Sequence, residues 1–370
     1  MKYYIIAGEA SGDLHGSNLI KALKLKDADA QIRCWGGDLM QAAGGTLVKH
    51  YKEMAFMGFI EVVMNLGRIF KNIKLCKNDI SAFNPDVIVF IDFSGFNLRI
   101  AEWAKAGNYK TNYYISPQIW ASREGRIQKI KKNIDAMYVI LPFEKSFYEE
   151  KHDYPVHFVG HPLIDAIENR EEIDAQRFRQ ENKLDIDKPI IALLPGSRKQ
   201  EVKKMLQTML SITQDFPDYY FVIAGAPSLD YGFYTPFLKD SNVGFVTNKT
   251  YGLLSLAHAA LVTSGTATLE TALFKVPQVV CYKASWLSYQ IAKRIITLEF
   301  ISLVNLIMEK EVVKELIQND LNSKNLRNEL TKILQGACRE NQLKAYELLE
   351  KKLGGTGASV KAADLIVENA

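Results

Sequence analysis

Short apolar runs alternate with longer helical patterns twice along this chain, and this alternation constrains the fold more than any other feature. In the first half, the β-type runs lie at 3–7, 31–35, 86–91, 111–115, 136–141 and 156–160. Helix-period segments separate most of them, at 13–26, 58–83, 97–106 and 143–151. Strands that alternate with helices build a parallel sheet with helices on both faces. The first half is therefore predicted to be an α/β domain.

A polar, charge-rich stretch at 166–187 separates that half from a second series of the same kind. The alternation resumes with β-type runs at 189–194, 219–224, 243–247, 259–263 and 278–282, and the chain is mostly helical from about 284. We therefore predict two α/β domains that face a cleft. Their predicted bounds are 1–165 and 188–345, with a connector at 166–187 and a C-terminal helical segment at 346–370.

The composition favours an enzyme over a nucleic-acid-binding or disulfide-rich protein. The 370 residues are 48% hydrophobic and 24% charged, with a formal net charge of +4. These values are ordinary for an enzyme and give no indication of nucleic-acid binding. The four cysteines are far apart, without a C-x-x-C pair, so neither a zinc site nor a disulfide framework is expected. Because neither a signal peptide nor an apolar stretch of roughly 18 residues is evident, we expect a cytoplasmic protein.

Two glycine-bearing turns in the second half follow strands and lead into helices, where parallel sheets usually bind ligands. In the first turn, Gly196 permits close approach of a phosphate, Ser197 can cap the helix, and Arg198 adds a positive charge. An ordinary capped helix with a surface arginine is the alternative for this turn.

The second turn consists of Ser264, Gly265 and Thr266, which expose backbone N–H groups at the start of a helix. Glu270 lies one turn further along, where its carboxylate can accept hydrogen bonds from ribose hydroxyls. The alternative is a helix with ordinary N-terminal caps, in which Glu270 complements the helix dipole. Two such turns in one domain favour a nucleotide site.

The first half contains candidates for acid–base chemistry. Asp92 follows the apolar strand at 86–91 and lies beside the glycine turn at 93–95, a position suited to a general base; capping of the next helix is the alternative. His15 is a second candidate base, although a histidine there more often packs or caps. The sequence GEASGD at 8–13 follows the first strand like a dinucleotide loop, but Glu9 stands where a second glycine is required.

The segment 55–77 combines apolar positions at helical spacing with basic residues at 68, 71, 74 and 77. A helix of this kind usually packs on the core and leaves its charges in solvent. The alternative is that it lies on an anionic membrane surface.

One acidic pair has the D-x-D spacing that binds a metal in some sugar-nucleotide enzymes. Asp185 and Asp187 flank a single residue. Because the pair precedes a strand within the polar connector, we predict a turn there. Neither a metal nor a cofactor is expected.

Taken together, these motifs resemble those of the lipid-A-disaccharide synthase family, the glycosyltransferases of lipid A assembly in Gram-negative bacteria. The resemblance runs in order through nearly the whole chain. The matching stretches are GEASGD at 8–13, FMGFIEVV at 56–63, ID at 91–92, ISPQIWA at 115–121, LPFEKSFYE at 141–149, VGHPL at 159–163, LLPGSR at 193–198, SGTATLE at 264–270 and FISLVNLI at 300–307. The chain departs from the family's pattern at Gly95, Ser122 and Val304.

The resemblance implies a glycosyltransferase B-type (GT-B) fold of two Rossmann-like domains, the first binding the acceptor and the second the UDP-sugar. The family transfers 2,3-diacylglucosamine from its UDP form to the 6-hydroxyl of 2,3-diacylglucosamine 1-phosphate. The products are a β-1,6-linked disaccharide 1-phosphate and UDP, with inversion and without a metal. The resemblance also implies contact with the inner-membrane surface and an ability to form homodimers.

Site residues follow from the matching motifs. Asp92 is the implied base. The implied donor-binding residues are Gly196, Ser197, Arg198, Ser264, Gly265, Thr266, Ala267, Glu270 and Asn305. The implied acceptor-binding residues are Glu9, Ser11, Gly12, Asp13, Asn97 and Ser116. The implied membrane or acyl-chain contacts are Met57, Phe59, Ile60 and Val63.

Two other functions suit the same architecture. An isomerase of the UDP-N-acetylglucosamine 2-epimerase type would require several acids and histidines around the sugar ring, and it would not need a basic apolar surface. A nucleotide-sugar-binding or lipid-carrier protein would keep the fold without a base. Release of UDP from the donor, with and without the acylated acceptor, distinguishes the three.

Overall fold

The structure is a computed structural model of the chain, and it describes residues 1–54, 66–170, 172–239, 241–284 and 299–370. The described chain forms two compact units. The first contains Met1–Glu168 and Leu353–Ala370, and the second contains Asn169–Lys352. Each unit has a parallel sheet with helices, which confirms the predicted α/β class.

The first unit is built on parallel strands that alternate with helices. Its strands are β1 (Lys2–Ala7), β2 (Gln31–Gly36), β3 (Thr46–His50), β4 (Val87–Ile91), β5 (Lys110–Tyr114), β6 (Ala136–Val139) and β7 (His157–Phe158). Its helices up to the boundary are α1 (Ala10–Lys26), α2 (Asp38–Ala42), α3 (Leu66–Phe83), α4 (Ser94–Ala106), α5 (Ile127–Asn133), α6 (Pro142–Glu149) and α7 (Pro162–Glu168). The strand order is β3-β2-β1-β4-β5-β6-β7.

The second unit repeats this plan. Its strands are β8 (Ile190–Leu194), β9 (Tyr220–Gly225), β10 (Gly244–Thr247), β11 (Ala257–Thr263), β12 (Gln278–Tyr282) and β13 (Lys314–Ile317), in the order β10-β9-β8-β11-β12-β13. Its described helices are α8 (Ala175–Glu181), α9 (Lys199–Leu210), α10 (Tyr231–Leu238), α11 (Thr250–Leu256), α12 (Thr266–Leu273), α13 (Leu303–Met308), α14 (Ser323–Leu334) and α15 (Ala337–Lys352). The last helix of the chain is α16 (Ala358–Glu368).

The central strands are buried on both faces, which explains their composition. The side chains of Tyr3–Ala7, Val87–Ile91 and Ile190–Leu193 are all 0% exposed. Such continuous runs of β-branched and aromatic residues are typical of parallel strands that helices cover on both sides.

The strand order places a topological switch point in each sheet. In the first unit β1 pairs with β2 on one side and β4 on the other. In the second unit β8 pairs with β9 and β11 in the same way. The loops that leave such neighbouring strands diverge and open a crevice, which is where α/β sheets bind their ligands.

Two edge strands, β3 and β13, were not predicted from the sequence. β3 has no predicted counterpart, and β13 lies in the part of the chain that is predicted to be mostly helical. Both are partly exposed along most of their length. Their polar residues interrupt the apolar run by which a buried strand is recognised.

The C-terminal helices divide between the two units, whereas the sequence predicts one separate segment at 346–370. The second unit extends to Lys352 and includes α15, and the chain then returns to the first unit. There α16 packs against α1 and α7. The predicted connector is also absorbed into the units, since 166–168 belongs to α7 and the described residues from 169 onward belong to the second unit.

Candidate active site

A cavity of about 280 Å³ opens at the carboxyl ends of β8, β9 and β11 in the second unit. The two predicted glycine turns and the end of β9 form its walls. Its lining residues are Leu194, Gly196, Ser197, Glu201, Ala224, Gly225, Ala226, Pro227, Thr250, Thr263, Ser264, Gly265, Thr266, Ala267 and Glu270. The structure thus brings together seven of the nine predicted donor-binding residues.

The turn after β11 is shaped for close contact with a ligand. Gly265 precedes α12 with φ of +151°, and a Cβ added there would meet no atom within 4 Å. The Thr268 hydroxyl donates to the Gly265 carbonyl at 2.8 Å, and the Ser264 hydroxyl donates to the Ile301 carbonyl at 2.8 Å. These bonds fix the turn while its backbone N–H groups at the start of α12 stay available.

Two polar side chains in this cavity are without a full set of partners. The Thr263 hydroxyl is buried and has no hydrogen-bond partner among the described residues. The Glu270 carboxylate accepts a hydrogen bond from the Tyr251 hydroxyl at 3.2 Å, and burial raises the pKa of Glu270. A buried hydroxyl and a half-buried carboxylate at a cavity wall are suited to bind the hydroxyl groups of a ligand.

The turn after β8 contains a carboxylate that the sequence analysis did not assign to the site. Gly196 has φ of +103°, and a Cβ added there would lie 2.3 Å from Glu201 Oε2. The backbone N–H of Ser197 donates to that same oxygen at 3.3 Å. Glu201 therefore binds one of the N–H groups that the turn would offer to a phosphate.

Arg198 is exposed directly before α9 and makes no ion pair with any residue that the structure describes. It lies near the cavity, because Arg198 and Glu201 both influence the pKa of Tyr282. Burial raises that pKa, the charge of Glu201 raises it further, and the charge of Arg198 lowers it. A free guanidinium beside a glycine turn is suited to bind an anion.

Asn305 forms its hydrogen bonds inside the second unit. Its side chain is 0% exposed. Its Nδ2 donates to the Val313 carbonyl and to Glu315, each at 2.9 Å, and its Oδ1 accepts from the N–H groups of Val312 and Val313 at 2.8 and 3.0 Å. These bonds tie α13 to the segment before β13, and Asn305 does not line the cavity, so its contact with the donor stays a prediction.

In the first unit, Asp92 lies at the switch point, directly after β4. Its backbone adopts φ of +43°, and the next residue, Phe93, has φ of +45°. The carbonyl of Asp92 accepts hydrogen bonds from Asn97 Nδ2 at 2.8 Å and from the Tyr113 hydroxyl. Burial raises the pKa of Asp92 to about 6, with a further contribution from the charge of Glu9.

The GEASGD loop contacts this aspartate's turn directly. A Cβ added at Gly8 would lie 2.2 Å from the ring carbon Cγ of Phe93, so only glycine leaves room for that ring. Glu9 and Ser11 are exposed, and their side chains make no hydrogen bond with the described residues. The predicted acceptor residues Glu9 and Ser11 therefore keep exposed polar groups on the loop that contacts the Asp92 turn.

Two other predicted acceptor residues of this loop, Gly12 and Asp13, make contacts inside the first unit. Asp13 is only 4% exposed, and its carboxylate accepts from the N–H groups of Gly37, Leu39 and Met40 at 2.8–3.2 Å. It thereby caps α2. Gly12 allows α1 to pack closely on β1, because a Cβ there would lie 3.0 Å from Ala7 Cβ.

Asn97 and Ser116 are also buried. Asn97 Nδ2 donates to the carbonyl oxygens of Ile91 and Asp92, which fixes the end of β4. The Ser116 hydroxyl donates to Glu144 Oε1 at 2.6 Å. Both residues support loops of the candidate site, and their contact with the acceptor stays a prediction.

His15, the second candidate base, is buried. Burial lowers its pKa to about 4, and the charge of Asp165 opposes that shift. A histidine with so low a pKa is a weak proton acceptor at neutral pH. Asp92, with its raised pKa, is the better candidate.

The predicted membrane contacts Met57, Phe59, Ile60 and Val63 lie outside the described residues. Among the residues that are described, no helix combines the length and apolarity needed to cross a bilayer. Within the same part of the chain, no group of three or more His, Cys, Asp or Glu could hold a metal ion. Asp185, of the D-x-D pair, accepts from the N–H groups of Asp187 and Lys188 at 2.9 and 3.0 Å, which is the predicted turn.

Sequence reasoning missed several residues of the cavity. The loop after β9, with Gly225, Ala226 and Pro227, lines it, as does Thr250. The rule that ligands bind beyond strand ends applies to β9 as well, and it would have identified this loop. No sequence signal identifies Tyr251, because its contact with Glu270 arises only when α11 and α12 pack beside each other.

Comparison with known proteins supports a specific family. The model of the family described as Lipid-A-disaccharide synthetase matches residues 3–367. The lipid-A-disaccharide synthase of Geobacter metallireducens is 36% identical over 98% of this chain and 96% of its own length. That of Coxiella burnetii is 38% identical over 89% of this chain and 88% of its own length.

Solved structures of low sequence identity share the fold. A UDP-GlcNAc 2-epimerase from Neisseria meningitidis, bound to UDP-GlcNAc, has a TM-score of 0.67 at 13% identity and covers 100% of this chain and 99% of its own. The glycotransferase of kitacinnamycin has a TM-score of 0.66 at 13% identity, with 100% and 98% covered. These likenesses establish the GT-B fold, whereas the family is established by sequence. The chain belongs to the lipid-A-disaccharide synthetase family and is a glycosyltransferase of lipid A biosynthesis.

Proposed function

We propose that this enzyme transfers 2,3-diacylglucosamine from its UDP form to the 6-hydroxyl of 2,3-diacylglucosamine 1-phosphate. The products are the β-1,6-linked disaccharide 1-phosphate and UDP, with inversion at the anomeric carbon. The proposal combines the family membership with the chemistry of the two switch points.

The observation that carries the proposal is the cavity at the ends of β8, β9 and β11. Two glycine turns at helix starts supply N–H groups for the diphosphate of the donor. Arg198 adds a positive charge that stabilises the negative charge developing on UDP as it departs. Glu270 and the unpartnered Thr263 hydroxyl are suited to the ribose hydroxyls.

Asp92 is the proposed base. An inverting transfer requires a group that removes the proton from the acceptor hydroxyl as this oxygen attacks. With a pKa raised to about 6, Asp92 is ionised at neutral pH and is a stronger base than an ordinary aspartate. The proton passes from the 6-hydroxyl to the Asp92 carboxylate, and the bond between the anomeric carbon and the diphosphate breaks. Glu9 and Ser11 are the remaining candidates for contacts to the acceptor sugar.

The acylated substrates require access to a membrane. We propose that the enzyme works at the cytoplasmic face of the inner membrane, as a peripheral protein, and that the basic amphipathic segment 55–77 contributes to this contact. Its described part includes Phe70, which is 63% exposed, and Lys71 and Lys74 on α3. A homodimer is part of the same proposal.

The decisive assay measures UDP release and lipid products with purified enzyme in detergent micelles. We expect UDP release from UDP-2,3-diacylglucosamine to depend on 2,3-diacylglucosamine 1-phosphate, and mass spectrometry to detect one disaccharide 1-phosphate per UDP. NMR of the product should show a β-linkage.

The alternatives give different results in the same assay. An epimerase would change the donor sugar without any acceptor and would form no disaccharide. A binding or carrier protein would bind the donor and release no UDP. Either result would overturn the proposed transfer reaction.

A further inference from the structure

Three arginines lie together in the first unit beside the turn that holds Asp92. Arg99 is on α4, Arg123 precedes the short 3-10 turn Glu124–Arg126 that leads into α5, and Arg126 is the last residue of that turn. Arg126 Nη1 donates to the Ser94 hydroxyl at 2.8 Å, at the start of α4. Burial lowers the pKa of Arg126, and the charges of Arg123 and Arg99 lower it further. The charges of Arg99 and Arg123 thus both act on the Arg126 guanidinium, because α4 packs against α5 and Arg123 and Arg126 share one turn.

Among the described residues, no carboxylate neutralises this cluster. None of the three arginines forms an ion pair there, and the acidic side chains nearest in sequence have other partners. Glu124 binds Lys151 at 2.7 Å and His152 at 3.0 Å. Glu102 binds Lys129 at 3.4 Å. Positive charges that are gathered without counter-ions are costly unless an anion binds there.

Arg126 contacts the turn of the candidate base, because its hydrogen-bond partner Ser94 follows Asp92 by two residues. The hydroxyl of Tyr113 donates to the carbonyl of Asp92. Burial raises the pKa of Tyr113, the charge of Asp92 raises it further, and the charge of Arg126 lowers it. Tyr113 therefore lies within electrostatic reach of both the base and the arginine. An anionic group bound by Arg126 would therefore lie beside the turn that holds the proton acceptor.

The backbone at Arg123 supports a specific placement of this side chain. Arg123 adopts φ of +61°, a conformation that non-glycine residues rarely occupy. Its carbonyl accepts from the Arg126 N–H at 3.0 Å, which closes the turn. The strained turn presents Arg123 as an exposed guanidinium beside half-buried Arg126.

We propose that Arg99, Arg123 and Arg126 bind the phosphate monoester of the glycolipid acceptor. This inference rests on the proposed function, in which one substrate is a sugar 1-phosphate. Three guanidinium groups match the three terminal oxygens of a phosphate monoester, each through paired N–H donors. Binding the 1-phosphate would orient the acceptor sugar and set the position of its 6-hydroxyl relative to Asp92.

The principal test compares the acceptor with its dephosphorylated form, 2,3-diacylglucosamine. In Arg123→Gln we expect the KM for the phosphorylated acceptor to rise about tenfold or more, as for loss of a charged hydrogen bond. The KM for the dephosphorylated acceptor and the KM for the donor should stay unchanged. Lys132→Gln, which removes the same charge from an exposed position on α5, is the matched control and should leave all three values unchanged.

Arg126 needs its own control, because it also binds Ser94. In Ser94→Ala that hydrogen bond is lost while all three charges remain. We expect Ser94→Ala to keep the preference for the phosphorylated acceptor and Arg126→Gln to lose it. Equal losses with both acceptors in the arginine variants would mean that these residues only support the Asp92 turn, and would overturn the proposal.

Direct binding separates this inference from the transfer reaction itself. Glucosamine 1-phosphate should perturb NMR signals of the wild-type protein near Arg123, glucosamine should not, and Arg123→Gln should abolish the difference. If the wild type binds glucosamine 1-phosphate in this way but forms no disaccharide, the proposed function fails and the phosphate site stands. If disaccharide forms but glucosamine 1-phosphate and glucosamine bind alike, the site is wrong and the function stands.

A membrane surface presents the same phosphate chemistry through its headgroups. Vesicles of phosphatidylglycerol and of phosphatidylcholine distinguish this source. An Arg123→Gln variant that loses affinity for phosphatidylglycerol vesicles, while it retains its acceptor preference in micelles, would assign the cluster to the bilayer and overturn the acceptor-phosphate proposal.

Discussion

The Asp92 turn is held in a conformation that costs free energy. Two consecutive residues, Asp92 and Phe93, have positive φ angles, each at a cost of roughly 1–2 kcal/mol. Hydrogen bonds from Asn97 and Tyr113 to the Asp92 carbonyl stabilise the turn. Strain of this kind is typical of functional sites. The fold therefore supports an aspartate whose position and raised pKa suit a base.

For Asp92→Asn we expect a loss of kcat of roughly 100- to 10,000-fold, because the variant cannot accept a proton. In the wild type, kcat/KM should rise with pH and level off above the Asp92 pKa of about 6. The variant should bind UDP as well as the wild type does, which a titration would measure. Near-normal turnover would exclude Asp92 as the base.

The Asp92→Asn substitution should lower activity but raise stability. Because the folded state raises the Asp92 pKa from 3.8 to about 6, its contribution to stability is present below the unfolded pKa and is lost as pH rises through about 6. Asp92→Asn should therefore have a higher Tm than the wild type at about pH 8, and the difference should shrink toward about pH 4. Asp218→Asn, at an exposed position, should show no such trend.

Arg198 should contribute to donor affinity. We expect Arg198→Ala to weaken UDP binding roughly 10- to 100-fold, the usual loss for a hydrogen bond to a charged group. Lys203→Ala removes an exposed charge from the same helix and should change the Kd little. Isothermal titration with UDP measures both. Equal Kd values for the two variants would exclude Arg198 from the phosphate site.

Glu201 should weaken diphosphate binding. Its carboxylate accepts from the Ser197 N–H inside the cavity, so a diphosphate must displace it against charge repulsion. Glu201→Gln removes the charge, and we expect the Kd for UDP to fall by a factor of about 5, which corresponds to roughly 1 kcal/mol for a solvated charge pair. A rise in the Kd would instead mean that Glu201 shapes the turn for the ligand.

Among the structural elements, α3 carries a surface that the core does not use. Phe70 is 63% and Leu75 44% exposed, and basic residues accompany them. An exposed apolar surface with neighbouring positive charges favours contact with an anionic bilayer. The other part of the basic amphipathic segment 55–77, before 66, lies outside the described residues.

This contact can be tested with vesicles. Substitution of Met57, Phe59 and Ile60 by Ser should lower the affinity for phosphatidylglycerol vesicles about 1,000-fold or more, as measured by co-sedimentation, because burial of each large apolar side chain contributes about 1.5–3 kcal/mol. The control substitutes Ser for three exposed apolar residues elsewhere, Leu25, Leu39 and Val360. If the two triple variants bind vesicles equally, this segment is not the membrane contact.

In the molecule as a whole, the two units are not simply consecutive along the sequence, because the C-terminus returns to the first unit. Asp165 on α7 accepts from the N–H groups of Gly357 and Ser359 at 2.6 and 3.0 Å, and so caps α16. The N–H of His161 donates to the Leu353 carbonyl at 2.9 Å. The first unit is therefore complete only when the last helix docks on α1 and α7.

Asp165→Ala should release this helix. We expect a loss of about 2 kcal/mol in the free energy of unfolding, since a helix cap contributes roughly 0.5–2 kcal/mol and this one is buried. Amide hydrogen exchange in 358–368 should become faster than in α1. Asp174→Ala removes the cap of α8 at a more exposed position, where it accepts from Arg177 N–H at 2.8 Å, and should cost less. Unchanged exchange in α16 would show that packing alone holds the helix.

The sequence by itself determined the α/β class, the central strands and the two glycine turns of the cavity. These features are local. Apolar runs such as 87–91 need burial on both faces, and Gly196 and Gly265 adopt backbone conformations that other residues rarely adopt. Family membership likewise followed from motifs. Such signals depend only on neighbouring residues, so they are visible without the fold.

The tertiary structure decided the roles of polar side chains and the path of the C-terminus. Asp13, Asn97, Ser116 and Asn305 carry polar groups that a sequence cannot assign to ligand or backbone, and the fold uses each of them to satisfy buried groups. A buried N–H or C=O must find a partner, and which side chain supplies it depends on elements far apart in sequence. The arginines beside Asp92 became a cluster for the same reason, because only the packing of α4 against α5 brings Arg99 to Arg126.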